Sequence, residues 1–230
     1  MKKFLLLFVL LIVVLIATPF LAAKYFLEVE PKDLGVKYTD TDRTQSYLKN
    51  GVMAINMAKT DSISQSVRYE GKKEVSFSLT QEEITALINS NTWQYQPVES
   101  VQIKINSDGV GEASGVLFVD RILPFVSLTH STGEIEGVMG KFGIANKTTF
   151  YLKGGVEVKN NKVKFSSQGV EIGRIKVPDS YVSQNLSTIE SFVESRINAV
   201  PGLFVEELNL NSGKVNFKGT MPEKEYKSIN

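Results

Sequence analysis

The stretch from Val75 to Asn89, VSFSLTQEEITALIN, limits the fold more than any other part of the sequence. Its first residues alternate between apolar and polar, which is the period of a half-buried strand. After Thr80 the apolar residues follow helical spacing, and Thr80 and Glu83 stand three residues apart, as in a capping box. Leu79 and Ile84 are placed to form a hydrophobic staple across this start. The stretch therefore predicts a strand that turns directly into a helix, and it carries no chemistry.

The N-terminal segment Phe4–Ala23 contains no charged residue. A helix of this length would span about 30 Å, the hydrocarbon thickness of a bilayer. Lys2 and Lys3 precede it and only Lys24 follows closely, so the positive-inside bias predicts a cytoplasmic N-terminus and a domain outside the cytoplasm. A signal peptide cleaved after two small residues, Ala22 and Ala23, is the alternative. We expect a retained single-pass anchor in the cell membrane.

The composition argues against catalysis and against a metal site. His130 is the only histidine and the chain has no cysteine, so neither a zinc ligand set nor a nucleophile–histidine pair is indicated. The carboxylate pairs Glu82–Glu83 and Glu206–Glu207 are adjacent in sequence, so their side chains point to different faces. With 26 Lys and Arg against 25 Asp and Glu, no basic nucleic-acid surface is expected. We predict no enzyme, no metal, no cofactor and no nucleic-acid partner.

The chain divides into three parts by composition. Residues 1–25 form the cytoplasmic tip and signal-anchor helix, residues 26–43 form a polar linker, and residues 44–230 form an extracytoplasmic domain. Within the domain, apolar residues at helical spacing predict an amphipathic helix over 44–59. After Pro222 a charged tail is expected to close the chain.

The same order of strand, helix and hairpin recurs in the two halves of the domain, at about 75–117 and 170–219. In the second half the apolar spacing predicts a helix over 179–199. The hairpin turns even resemble each other, INSDGVGEASG from Ile105 and LNSGKVNFKG from Leu210. A further hairpin turns at Asn160-Asn161. The pattern predicts an internal duplication.

Residues 116–128, VLFVDRILPFVSL, are the most apolar stretch beyond the N-terminal segment. A buried strand pair would explain them, and an apolar lip that faces a lipid chain or the membrane surface is the functional alternative. Small residues just before this stretch would let a helix or a ligand approach the backbone closely. The hypothesis is an apolar groove between this stretch and the helix face over 182–197. Its candidate lipid-binding residues are Leu117, Val119, Ile122, Leu123, Phe125, Val126, Leu186, Ile189 and Val193.

Several of these stretches together resemble a known group of proteins. The N-terminal apolar helix, FSLTQEEITALIN, VQIKINSDGVGEASGVL and GLFVEELNLNSGKVNFKGTMP look like the YpmS-like and LmeA-like bacterial envelope proteins. These are similar in turn to tubular lipid-binding (TULIP-like) domains. The resemblance covers most of residues 44–222 and implies a long helix wrapped by a curved antiparallel sheet, with an apolar groove along its axis. It supplies no catalytic motif, and residues 129–147 do not fit its pattern.

The predicted fold is α+β, with an N-terminal transmembrane helix followed by a curved, mainly antiparallel β-sheet wrapped around one or two long helices. The predicted function is a membrane-anchored extracytoplasmic module that binds lipid or another apolar ligand at the bacterial cell envelope. The alternative is a scaffold that binds an envelope protein partner and has no ligand of its own. A third and more remote hypothesis is an envelope hydrolase that uses scattered carboxylates.

Overall fold

The computed structural model describes residues 30–128, 147–173 and 175–229. Eleven strands and four α-helices follow one another along these residues, and a short 3₁₀ turn, Ile63–Gln65, precedes the second strand. The elements are α1 (Asp40–Asn50), β1 (Met53–Met57), β2 (Val67–Glu70), β3 (Lys73–Thr80), α2 (Gln81–Asn89), β4 (Val98–Ile105), β5 (Gly111–Phe118), α3 (Val119–Ser127), β6 (Lys147–Lys159), β7 (Lys162–Ile172), β8 (Ile175–Lys176), α4 (Asp179–Asn198), β9 (Phe204–Asn211), β10 (Lys214–Met221) and β11 (Lys224–Ser228).

The predicted strand–helix corner is confirmed. Strand β3 ends at Thr80, whose extended backbone (φ −71°, ψ 167°) makes it the N-cap of α2. The Thr80 hydroxyl accepts from the Glu83 amide at 3.2 Å, and the Glu83 carboxylate accepts from the Thr80 amide at 3.0 Å. These two bonds satisfy amides that a helix start leaves without partners. Glu83 also accepts two hydrogen bonds from Lys49 Nζ, which fastens α1 to this corner.

The large sheet has eight strands, with the order β3-β10-β9-β6-β5-β4 and with β7 and β8 joined to the other side of β6. All its pairings are antiparallel. Strand β6 is 13 residues long; one of its edges pairs with β5 and, further along, with β9 at Val158 and Lys159. The three predicted hairpins are confirmed as β4–β5, β6–β7 and β9–β10. Asn160 and Asn161 both have positive φ, as the tight turn between β6 and β7 requires.

The small sheet has three strands in the order β1-β11-β2. Its central strand β11 pairs parallel with β1 and antiparallel with β2. Strand β11 is the segment expected to be a charged tail, so that expectation is wrong. The residues that β11 buries are Glu225, Lys227 and Ser228. Because these are polar, their pattern does not indicate a half-buried strand.

Helix α2 covers one edge of the large sheet, strand β4. Three of its polar side chains, spaced one turn apart, bond to the backbone of alternate residues of the edge strand β4. Thr85 Oγ1 accepts from the Ile103 amide at 3.0 Å, and Asn89 both accepts from and donates to the Val101 backbone. The three pairs are Gln81 with Ile105, Thr85 with Ile103 and Asn89 with Val101. The helix thus occupies backbone groups that an edge strand otherwise exposes.

The fold prediction of a sheet wrapped around one or two long helices is wrong. The described chain is mostly β, with one large and one small open sheet. Among the described helices only α4 is long, with 20 residues, and it packs mainly against one strand, β7. Two segments that look helical or unstructured locally, 53–57 and 224–228, become strands because they pair with each other across the sequence. Such distant pairing cannot be read from local spacing.

The predicted N-terminal transmembrane helix is corrected as well. Among the described residues no helix is long and apolar enough to cross a membrane. The longest of them, α4, carries Asp179, Glu190, Glu194 and Arg196, and charged residues are costly in hydrocarbon. The segment Phe4–Ala23, on which that prediction rested, lies outside the described residues, and so does His130. The transmembrane, signal-anchor and membrane assignments are therefore not retained.

Two local predictions change in detail. The helix expected over 44–59 begins earlier, at Asp40, and ends at Asn50, because Gly51 takes the left-handed conformation that stops a helix (φ 66°). A second capping box, between Thr39 and Asp42, fixes its start. The apolar stretch 116–128 is neither a strand pair nor an extended lip: β5 ends at Phe118 and the chain continues directly as α3.

Candidate functional site

Two rows of apolar side chains cross the large sheet and line one wall of a cavity. Strand pairing places one side chain from each strand in each row, because residues opposite each other across a sheet point to the same face. The Phe77 and Phe217 rings are stacked, with their centroids 5.1 Å apart. The rows are Phe77–Phe217–Leu208–Val158 and Leu79–Val215–Leu210.

The opposite wall is a single row across the small sheet. Ala54 of β1 lies opposite Glu225 of β11, and Glu225 lies opposite Tyr69 of β2. All three side chains line the same cavity as the rows of the large sheet. The two sheets therefore face each other here. The wall on the large sheet is apolar, and the wall on the small sheet carries the Glu225 carboxylate and the Tyr69 phenol.

The cavity between the two walls has a volume of about 100 Å³. Its sides are formed by α1 and the link to β1, by α2, by the segment that follows α4, and by the end of β10 with the residue after it. These contribute Tyr47, Asn50, Val52, Ile84, Leu87, Val200, Leu203, Met221 and Pro222, and Val156 of β6 also lines it. Apolar side chains therefore make up nearly all of the lining, and its polar groups come from Tyr47, Asn50, Tyr69 and Glu225.

The polar lining residues lie close enough together to act on one another. The Tyr69 hydroxyl donates to Glu225 Oε1 at 3.4 Å. Burial raises the pKa of Tyr69 well above its ordinary value, and the negative charge of Glu225 adds to the effect. The same two causes, burial first, raise the pKa of Tyr47. The cavity thus has one polar end, where two neutral phenols surround a buried carboxylate.

The nine residues predicted to line a lipid groove lie elsewhere. Leu117, Ile122, Phe125, Val126, Ile189 and Val193 are buried in the hydrophobic core, and Leu186 is partly buried against it. Val119 and Leu123 belong to α3, but their side chains lie outside the described part. These seven described side chains belong to the same hydrophobic core as the cavity walls, but none of the seven lines the cavity. We call their surroundings, around α3 and α4, the packed cluster. The groove at these positions stays a prediction.

A polar groove of about 760 Å³ runs along the edge of β4 and shares no lining residue with the cavity. Amide and charged side chains line much of it, including Asn89, Gln96, Glu99 and Arg121. Arg121 is already engaged there, because its guanidinium donates to the Gln96 carbonyl at 3.1 Å. An apolar ligand gains little from such a surface, so the apolar cavity is the candidate site.

The carboxylate pairs considered in the sequence have structural partners. Glu83 is held by the capping box and by Lys49, and Glu206 forms an exposed ion pair with Lys218. Within residues 30–128, 147–173 and 175–229 there is no group of three His, Cys, Asp or Glu side chains that could hold a metal ion. The prediction that the protein is not an enzyme stays a prediction.

Sequence reasoning missed the cavity because its walls come from strands far apart in the chain. One wall needs β11, whose buried side chains are charged and therefore signal a solvated tail. The wall on the large sheet could be predicted in part from the sequence. Its residues Phe77, Leu79, Val215 and Phe217 alternate with polar residues in predicted strands. Only the register between these strands shows that they share one face.

No known family, no curated protein and no solved structure matches this chain. The resemblance to the YpmS-like and LmeA-like envelope proteins, and through them to the tubular lipid-binding domains, is therefore untested. It stays a prediction, and so does the location of the domain outside the cytoplasm. The geometry of the cavity therefore carries the functional proposal.

Proposed function

We propose that this protein is a binding module for a lipid chain or another apolar ligand, which enters the cavity between the two sheets. The observation that carries the proposal is an unfilled space of about 100 Å³ with an almost wholly apolar lining. Protein interiors are close-packed, and an empty space of this size costs about 2 kcal/mol of stability. A ligand that fills the space recovers the lost contacts.

The size of the cavity favours the end of a linear chain. Dry apolar cavities of about 150 Å³ are known to bind benzene or xenon, and a narrower space of about 100 Å³ favours a few methylene groups. Each methylene group taken from water contributes about 0.8 kcal/mol. Ala54 lies in the lining and is exposed to solvent, so we place the mouth of the cavity beside β1.

The test is a titration of the full-length protein with hexan-1-ol, followed by methyl NMR. We expect the methyl resonances of Val158 and Leu208, which line the cavity, to shift in a saturable manner. The methyl resonances of Leu117 and Val193, in the packed cluster, should not move. The two pairs of reporters therefore separate the cavity from the groove predicted in the sequence.

A variant of the mouth supplies the matched control. Ala54→Trp should block the cavity and abolish the shifts, whereas Met53→Trp should leave them unchanged. Met53 precedes Ala54 on β1 and is 60% exposed, and its side chain points to the opposite face and does not line the cavity. Shifts at Leu117 and Val193 alone would move the site to the predicted groove. If no methyl resonance shifts at all, the proposal fails and the scaffold hypothesis gains ground.

A further inference from the structure

The polar end of the cavity holds a carboxylate with unused hydrogen-bonding capacity. Glu225 lines the cavity and is only 8% exposed. Its one hydrogen bond, from the Tyr69 hydroxyl to Oε1, is 3.4 Å long, which is near the limit of such a bond. No described residue donates to Oε2. Oε2 itself is not fully buried, so a small molecule in the cavity can reach it and supply the missing donor.

The neighbouring cations do not supply that donor. Arg196 is buried and acts on Tyr69, but its guanidinium lies over the Phe125 ring and forms no ion pair with Glu225. Lys227 lies two residues further along β11 and donates to Asn91 Oδ1 at 3.0 Å. Lys49 of α1 donates to both carboxylate oxygens of Glu83, at 2.6 and 2.7 Å. Among the residues that the structure describes, none forms an ion pair with Glu225. The free oxygen is therefore available to a molecule in the cavity.

The same end also offers hydrogen-bond donors. Asn50 is buried and lines the cavity, and its Oδ1 accepts from the Val52 amide at 2.8 Å. That bond leaves its amide NH₂ without an acceptor among the described residues. A hydroxyl group both donates and accepts, so it can serve the Glu225 carboxylate and the Asn50 amide together. A carboxylate group can only accept, and it would place a second negative charge beside Glu225.

We infer that the cavity selects apolar chains that end in a hydroxyl group and rejects chains that end in a carboxylate. The inference rests on the proposed function and adds to it the class of head group. The apolar rows of the large sheet contact the chain. The row across the small sheet, which includes Glu225, hydrogen-bonds its polar end. Glu225 is the residue that determines the specificity.

Two probes of equal chain length, hexan-1-ol and hexanoate, test this in the full-length protein at pH 7. The dissociation constants come from the methyl shifts of Val158 and Leu208. We expect hexan-1-ol to bind about tenfold more tightly or better, because a hydrogen bond to a buried charge is replaced by repulsion between two charges. In Glu225→Gln the preference should fall to about threefold or less, with weaker binding of hexan-1-ol and tighter binding of hexanoate.

The same substitution at Glu223, which is exposed just before β11, is the control and should keep the full preference. Equal binding of both probes to the unmodified protein would overturn the inference and leave the proposed function standing. The comparison of hexan-1-ol with hexanoate in the unmodified protein needs no variant. It therefore tests the inferred preference even where Glu225→Gln fails to fold. If neither probe binds, the proposed function itself fails.

Discussion

Two regions of this protein are built from the same kinds of apolar residues and differ in how they are filled. In the packed cluster around α3 and α4, the Phe125 ring lies 6.4 Å from Trp93 and 6.5 Å from Phe192, and the Arg196 guanidinium covers it at 4.7 Å. In the cavity, Phe217 stacks on Phe77 but borders an open space. Helices and loops can settle onto the core beneath them. Two sheets that are each fixed by their own hydrogen bonds cannot close the gap between them.

This contrast shows that apolar composition does not separate a binding site from a core. The stretch 116–128, in the packed cluster, is more apolar in sequence than the strands that form the cavity walls. Its described side chains are nevertheless largely packed. The cavity walls come from shorter strands with ordinary alternation. What distinguishes the two regions is whether the surrounding backbone can contract around the side chains.

The largest expected effect compares two phenylalanines with nearly equal exposure, Phe125 at 3% and Phe217 at 4%. We expect Phe125→Ala to lower the free energy of unfolding by about 4–5 kcal/mol and Phe217→Ala by about 3 kcal/mol. The smaller loss reflects the contacts that Phe217 lacks on its cavity side. Urea unfolding of both variants measures the difference, and equal losses would contradict the contrast.

A smaller effect is expected from adding one methylene group in each region. Val158 borders the cavity and Val193 lies in the packed cluster, and both are almost fully buried. Val158→Ile should raise the free energy of unfolding by about 0.8 kcal/mol, because the added group fills empty space. Val193→Ile should lower it by about 1 kcal/mol or more through overpacking. Changes of the same sign in both variants would show that the two regions are packed alike.

The smallest expected effect is a pH dependence at the polar end of the cavity. Because burial and Glu225 raise the pKa of Tyr69, its neutral phenol contributes stability that is present below about pH 10, the ordinary tyrosine value. This contribution is lost as the pH rises from about 10 towards the pKa of the folded state. Tyr69→Phe should therefore lose less stability between pH 9 and pH 11 than the unmodified protein. Identical slopes would mean that water reaches this end of the cavity.

The sequence predicted the elements whose signals are local. The corner at Thr80, the turn at Asn160-Asn161 and the helix after Pro178 all depend on neighbouring residues, and all three are present. The boundary between α1 and β1 was missed, because Met53–Met57 is a strand only through its pairing with β11. The candidate site was missed for the same reason: Glu225 lines the cavity because β11 lies between β1 and β2.

The cover that α2 places on β4 has a consequence for the order in which the chain is made. Residues 81–89 leave the ribosome before residues 98–105, so the side chains that occupy this edge are present before the strand is made. Newly made strands with open edges are prone to pair with other chains. In this protein Thr85 and Asn89, which bond the backbone of β4 in the folded structure, precede that strand in the chain. The residues that protect this edge are thus synthesised before the edge itself.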